Sequence, residues 1–233
     1  MWMQVLAAAG IPIVGEAFPG GWSRFQAANP RGFFESTLVD GIHSRSRVDP
    51  TTGRALDPDE VRGVGVKVVL AGIPRTQLPF LDAVVVSVRH WRSYADSVRR
   101  AGPVFGRGSD DPAAKWWCDH WTLLEDQRAR GYRCRFVTYE AVVADPFEQV
   151  RATLEWVGVP HDPQAGGRAV DPTMDGSASP DAPVNPPDPQ WVPALDAMYR
   201  AAADGTLGPS FLDRWSEAGR AIVDRTRPRS RWS

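Results

Sequence analysis

Two short apolar runs rich in valine stand out against a mostly polar chain, Gly65–Leu70 and Ala83–Val88, and a third segment, Arg133–Thr138, is short and β-rich. Runs of this length read as buried strands. Elsewhere the apolar positions take helical spacing. Trp2, Val5, Leu6 and Ala9 predict a helix over Met1–Ala9, ended by Gly10 and Pro12. Ala113–Arg130 predicts a long helix stopped by Gly131, and Pro146–Trp156 one that opens on proline and ends before Gly158. Ser93 with Asp96 matches a variant of the Ser-x-x-Glu box, predicting a helix over Ser93–Arg100 that stops at Gly102-Pro103. A short helix over Glu35–His43 and two late ones, Trp191–Ala203 and Ser210–Val223, complete the set. Strands alternating with helices predict an α/β fold of three layers, helices covering both faces of a mostly parallel sheet.

Between these elements lie segments punctuated by Gly and Pro, over 15–34, 45–60 and 106–112. Seven prolines within 171–193 forbid regular helix or strand interiors there. The last residues alternate Arg with Pro and Ser. They predict a disordered basic tail over 224–233 behind a single domain over 1–223.

A chain of 233 residues suffices for one sizeable domain, and a net charge of −1 offers no footprint for nucleic acid or an acidic membrane surface. No apolar stretch reaches the length of a membrane span, and the first residues lack the positive start of a signal peptide. Two cysteines, Cys118 and Cys134, form no framework, which predicts a reduced, cytoplasmic protein. Four His and two Cys without ligand spacing predict no metal site. Most of the ten tryptophans are expected in the core.

The chemistry centres on the end of the second strand. Arg89 stands where Ala83–Val88 stops, and Ser97 follows eight positions later, one turn into the predicted helix. Ligands of an open parallel sheet gather at the C-terminal ends of its strands, where helix N-termini favour an anion. A guanidinium there can fork a phosphate, and a serine hydroxyl can donate to it. The same residues also suit a surface ion pair and a solvated serine. Lys67 interrupts an apolar strand; such a lysine either faces a cleft or snorkels to water.

The strand-Arg-x7-Ser pattern resembles the 3′-phosphate element of sulfotransferases that use 3′-phosphoadenosine 5′-phosphosulfate (PAPS), particularly the bacterial branch. Three further segments are similar to the same family, in the same order: Asn29-Pro30-Arg31-Gly32-Phe33-Phe34-Glu35; Gly65-Val66-Lys67-Val68-Val69; and Phe136-Val137-Thr138-Tyr139-Glu140 with Asp145-Pro146 and Trp156-Val157-Gly158-Val159-Pro160. Together they span about residues 1 to 172. The resemblance implies a P-loop-type nucleotide-binding fold with PAPS as co-substrate. Arg89 and Ser97 would hold the 3′-phosphate, with Tyr139 on or near the adenine; Tyr139 equally suits a core position. Glu35, after an aromatic pair that would desolvate it, would serve as the base, or else merely open a helix. Lys67 would sit near the sulfonate. His43 and His120 follow as candidate bases, both expected on helix surfaces.

The family's first strand and Pro-x-Ser-Gly-Thr loop, which wrap the 5′-phosphosulfate, would precede the first helix. The chain as written begins inside that helix, so the expectation is that translation starts further upstream. The implied activity is sulfuryl transfer from PAPS to a hydroxyl or amine of a small molecule or glycan. The alternative is a non-catalytic or truncated relative that binds a nucleotide or partner. A nucleotide kinase lacks its Walker lysine here, and no Gly-x-Ser-x-Gly turn suggests a hydrolase. Oligomeric state is not legible in the sequence.

Overall fold

The computed structural model describes residues 1–18, 32, 34, 36–49, 53–105, 111–171 and 188–226, without the side chains of 100–105. The elements among them are α1 (Trp2–Ala8), β1 (Ile13–Val14), β2 (Gly65–Val66), β3 (Ala83–Val88), α2 (Trp91–Phe105), α3 (Pro112–Arg130), β4 (Arg133–Thr138), α4 (Tyr139–Ala144), α5 (Pro146–Val157), α6 (Pro163–Arg168), α7 (Val192–Ala203), α8 (Ser210–Arg214) and α9 (Ser216–Thr226). Short 3₁₀ turns cover Leu70–Arg75, Leu78–Phe80 and Pro189–Trp191.

The chain is mixed α/β, but among the described residues the strands form two separate two-stranded parallel sheets, β1 with β2 and β3 with β4. In the first, Ile13 lies opposite Gly65 and Val14 opposite Val66. Both longer strands keep the ends read from their apolar runs. The strand expected over Gly65–Leu70 stops at Val66, because the Val69 N–H turns to the Val39 carbonyl at 2.8 Å and a 3₁₀ turn begins at Leu70.

Three helix starts share one device that the sequence carries openly. Asp precedes Pro at Asp111, Asp145 and Asp162, where each carboxylate accepts a backbone N–H of the first turn at 2.9–3.2 Å and proline fills the next position. Asp188 does the same ahead of a 3₁₀ turn. The aspartate satisfies an otherwise orphaned donor, and proline needs none. At the other end, Gly131 (φ 73°) and Gly158 (φ 85°) take the left-handed conformation that closes α3 and α5.

Three helix expectations need correction. No helix forms over 36–43: Val39 and Gly41 donate to carbonyls three residues back, which makes turns. The helix expected from Ser93 starts at Trp91 and runs through Gly102-Pro103 to Phe105. Its start is set by His90, whose Nδ1 accepts the Arg92 N–H at 3.2 Å, while Ser93 is buried inside the helix. The helix expected over Ser210–Val223 forms as two, α8 and α9, and α9 continues to Thr226, so 224–226 belong to α9 and not to a tail.

Chain contacts divide the molecule into two compact units. The first comprises Met1–Val85, Tyr132–Arg135 and Ala141–Pro172. In it α1 and α5 pack on α6, and Val5, Ala9, Val150 and Leu154 are buried. A second apolar cluster joins Leu38, Ile42 and Leu56 to Val14, Val61, Val66 and Phe80.

The second unit comprises Val86–Gly131, Phe136–Glu140 and Thr173–Ser233. Its centre is α3, packed on α2, α8 and α9 and buried along Trp116, Trp117, His120, Trp121, Leu123 and Leu124. Trp117 stacks on Trp121 at 5.5 Å and meets Phe211 at 6.2 Å. Among the described tryptophans, Trp91, Trp116, Trp117, Trp121 and Trp191 are buried, as expected from their size, and Trp2, Trp156 and Trp215 are half-buried. No helix among the described residues is long and apolar enough to cross a membrane.

Candidate functional site

In a parallel pair the C-terminal ends of both strands lie at one edge. At that edge β3 runs into Arg89 and His90, and β4 into Tyr139 and Glu140. The Arg89 guanidinium lies over the Tyr139 ring, 4.5 Å from its centre. This cation–π contact holds the planar head of Arg89 in one orientation while leaving its N–H edges for other partners. One face of Tyr139 is thereby occupied by the arginine, so adenine would have to use the other face or displace the guanidinium.

The peptide group joining Arg89 to His90 lies between strand and helix, where neither ladder nor helix supplies its partners. Side chains supply both. The Arg89 carbonyl accepts the Trp116 indole N–H at 3.0 Å, and the His90 N–H donates to Glu140 Oε1 at 3.1 Å. Glu140 Oε2 accepts the Tyr199 hydroxyl at 2.9 Å. The edge of the Tyr199 ring meets the His90 ring at 4.6 Å. Burial first, and then the Glu140 carboxylate, push the Tyr199 pKa well above the ordinary tyrosine range, so its hydroxyl remains a donor at physiological pH.

One turn before Tyr199 on α7, Asp196 Oδ1 accepts the Trp91 indole N–H at 2.7 Å. Spacing of three places both α7 side chains on one helix face. Trp91 is fully buried, and Arg92 lies over its ring at 4.3 Å. Arg89, His90 and Arg92 thus crowd a short stretch at the start of α2, where the helix dipole favours an anion.

The structure brings Arg89 and Tyr139 together, the guanidinium over the ring. Ser97 is half-buried in the second turn of α2. Lys67 is half-buried one residue past β2 in the first unit. Glu35 lies outside the described residues. His43 sits in a turn, its Nδ1 accepting the Arg45 N–H at 3.3 Å. His120 is not on a helix surface: it is 2% exposed, its Nδ1 bonds the Trp116 carbonyl at 2.7 Å, and its ring lies 4.4 Å from that of Trp116. Burial pushes its pKa down to about 4, and Nε2 has no partner among the described residues. A base enclosed in this way cannot exchange protons readily with a substrate. Among the described residues no cluster of His, Cys, Asp and Glu could hold a metal ion.

The groups not singled out from the sequence are His90, Glu140, Asp196 and Tyr199. Glu140 carried a signal, since it stands in the Tyr139-Glu140 pair of the resemblance. Nothing local marked its partner 59 residues away. Comparison with protein-family models, with curated proteins and with solved structures returned no match.

Proposed function

We propose that the chain is a PAPS-dependent sulfotransferase that takes the 3′-phosphoadenosine end of its co-substrate at the C-terminal edge of β3 and β4, in a three-layer fold of the P-loop type. The observation that supports this reading is the Arg89 guanidinium, set at a parallel strand's end beside a helix start and oriented by the Tyr139 ring. Arg89 forks the 3′-phosphate and Ser97 adds a hydroxyl donor. Sulfuryl transfer breaks the S–O bond to the 5′-phosphate and forms a new S–O bond to an acceptor hydroxyl or S–N bond to an acceptor amine, whose proton passes to a base, here Glu35. As in phosphoryl transfer, positioning and charge stabilisation supply most of the rate. The acceptor is a small molecule or glycan, and no metal is needed.

Calorimetric titration of the full chain with adenosine 3′,5′-bisphosphate and, separately, ATP tests the reading. The bisphosphate is expected to bind more tightly, and Arg89→Ala to weaken it by about 1.5–3 kcal/mol, with Arg89→Lys intermediate. Equal affinity for both nucleotides, or a folded Arg89→Ala protein with unchanged affinity, overturns it. Bisphosphate binding without turnover across hydroxyl and amine acceptors favours a non-catalytic relative.

A further inference from the structure

The Arg89–His90 peptide is pinned at both its polar ends by side chains from separate elements, the carbonyl by Trp116 of α3 and the N–H by Glu140 of α4. The orientation of this peptide plane sets the direction in which the Arg89 side chain leaves the backbone. Glu140 does not stand alone. Its second oxygen takes the Tyr199 hydroxyl. The ring of Tyr199 also closes against the His90 ring. The half-buried carboxylate therefore has both oxygens engaged by donors that leave it one position.

We propose that Glu140, braced by Tyr199, is a positioning residue that aims Arg89 at its anionic ligand. The proposal rests on the 3′-phosphoadenosine reading for the identity of that ligand, but not for the existence of the clamp. Without Glu140 the His90 N–H loses its acceptor, the peptide plane can rotate, and the guanidinium spreads over several directions. A fork that must match two phosphate oxygens loses affinity when its direction is not preset.

Two measurements on the full chain separate the clamp from the ligand. The first is residue-resolved amide hydrogen exchange of the unliganded protein. Glu140→Ala, and Tyr199→Phe as the milder variant that removes only the brace, are expected to speed exchange at His90 by about tenfold or more. Glu140→Gln, which keeps an oxygen for that N–H, is expected to retain most of the protection. The second is the affinity for adenosine 3′,5′-bisphosphate, expected to fall about tenfold in Glu140→Ala and to recover in Glu140→Gln. In an Arg89→Ala background Glu140→Ala is expected to add no further loss, because it acts through the arginine.

Unchanged exchange at His90 in both Glu140→Ala and Tyr199→Phe overturns the clamp whether or not any nucleotide binds. Faster exchange with undiminished bisphosphate affinity, or equal losses with and without Arg89, overturns the positioning role. Faster exchange in the two variants, together with a wild-type chain that binds no bisphosphate, overturns the ligand assignment and leaves the clamp standing.

Discussion

The guanidinium of Arg89 rests on the ring of Tyr139, 4.5 Å from its centre, at the edge where two parallel strands end together. The ring face, not the hydroxyl, makes this contact. Tyr139→Phe is therefore expected to keep most of the bisphosphate affinity, and Tyr139→Ala to lose about 0.5–2 kcal/mol. Titration of the two variants decides it. Equal losses would assign the work to the hydroxyl.

His120 makes stability depend on pH. Its folded pKa is about 4 against an ordinary 6.5. Below about pH 6.5 the unfolded chain takes up a proton that the folded chain refuses until about pH 4. The contribution is thus complete above 6.5, declines between 6.5 and 4, and has gone below 4. Its size is on the order of 3 kcal/mol. Urea unfolding of wild type and His120→Gln at pH 7 and pH 4.5 should show a clearly smaller acid loss in the variant. Parallel losses would mean that other groups carry the acid sensitivity.

Gly219 of α9 faces Trp121 of α3 so closely that a methyl group in its place would meet the indole ring. Gly219→Ala is expected to destabilise the protein by about 1–3 kcal/mol, although alanine is the better helix former. Trp121→Phe should relieve much of that penalty. Thermal unfolding of the single and double variants checks both statements, and additive effects would refute the contact.

The two thiols are expected to be poor nucleophiles. Burial pushes the Cys134 pKa up to about 12 from 9.0, and Cys118 is also raised, by burial first. A shift of this size lowers the thiolate fraction at Cys134 by about 1,000-fold. Reaction of the native protein with a disulfide reagent at pH 8 should release almost no thiol at first, and two per chain after denaturation. Rapid native labelling would contradict the burial.

The sequence by itself determined what depends on neighbours along the chain. The apolar run Ala83–Val88 and the β-rich segment Arg133–Thr138 became strands at those bounds, and Gly131 and Gly158 closed the helices before them. The signal in each is local: β-branched side chains stiffen extended backbone, and glycine alone adopts a left-handed cap freely. The Asp-Pro helix starts belong to the same class, since capping is an affair of three residues. Arg89 at a strand end follows from the strand alone.

Only the tertiary structure decided the surroundings of Arg89. Glu140 reaches the His90 N–H from 50 residues away, and Asp196 reaches Trp91 from 105. No periodicity records such pairings, because a carboxylate on a helix reads the same whether it faces water or a buried N–H. His120 looked like a surface histidine for a related reason: α3 is buried around much of its circumference, so its polar positions do not mark an outer face. Val66 ended its strand where an apolar run continued, because the Val69 N–H found the Val39 carbonyl in place of a ladder partner. The choice between a strand and a turn for such residues is made by whichever backbone partner the folded chain brings near, and the local sequence does not contain it.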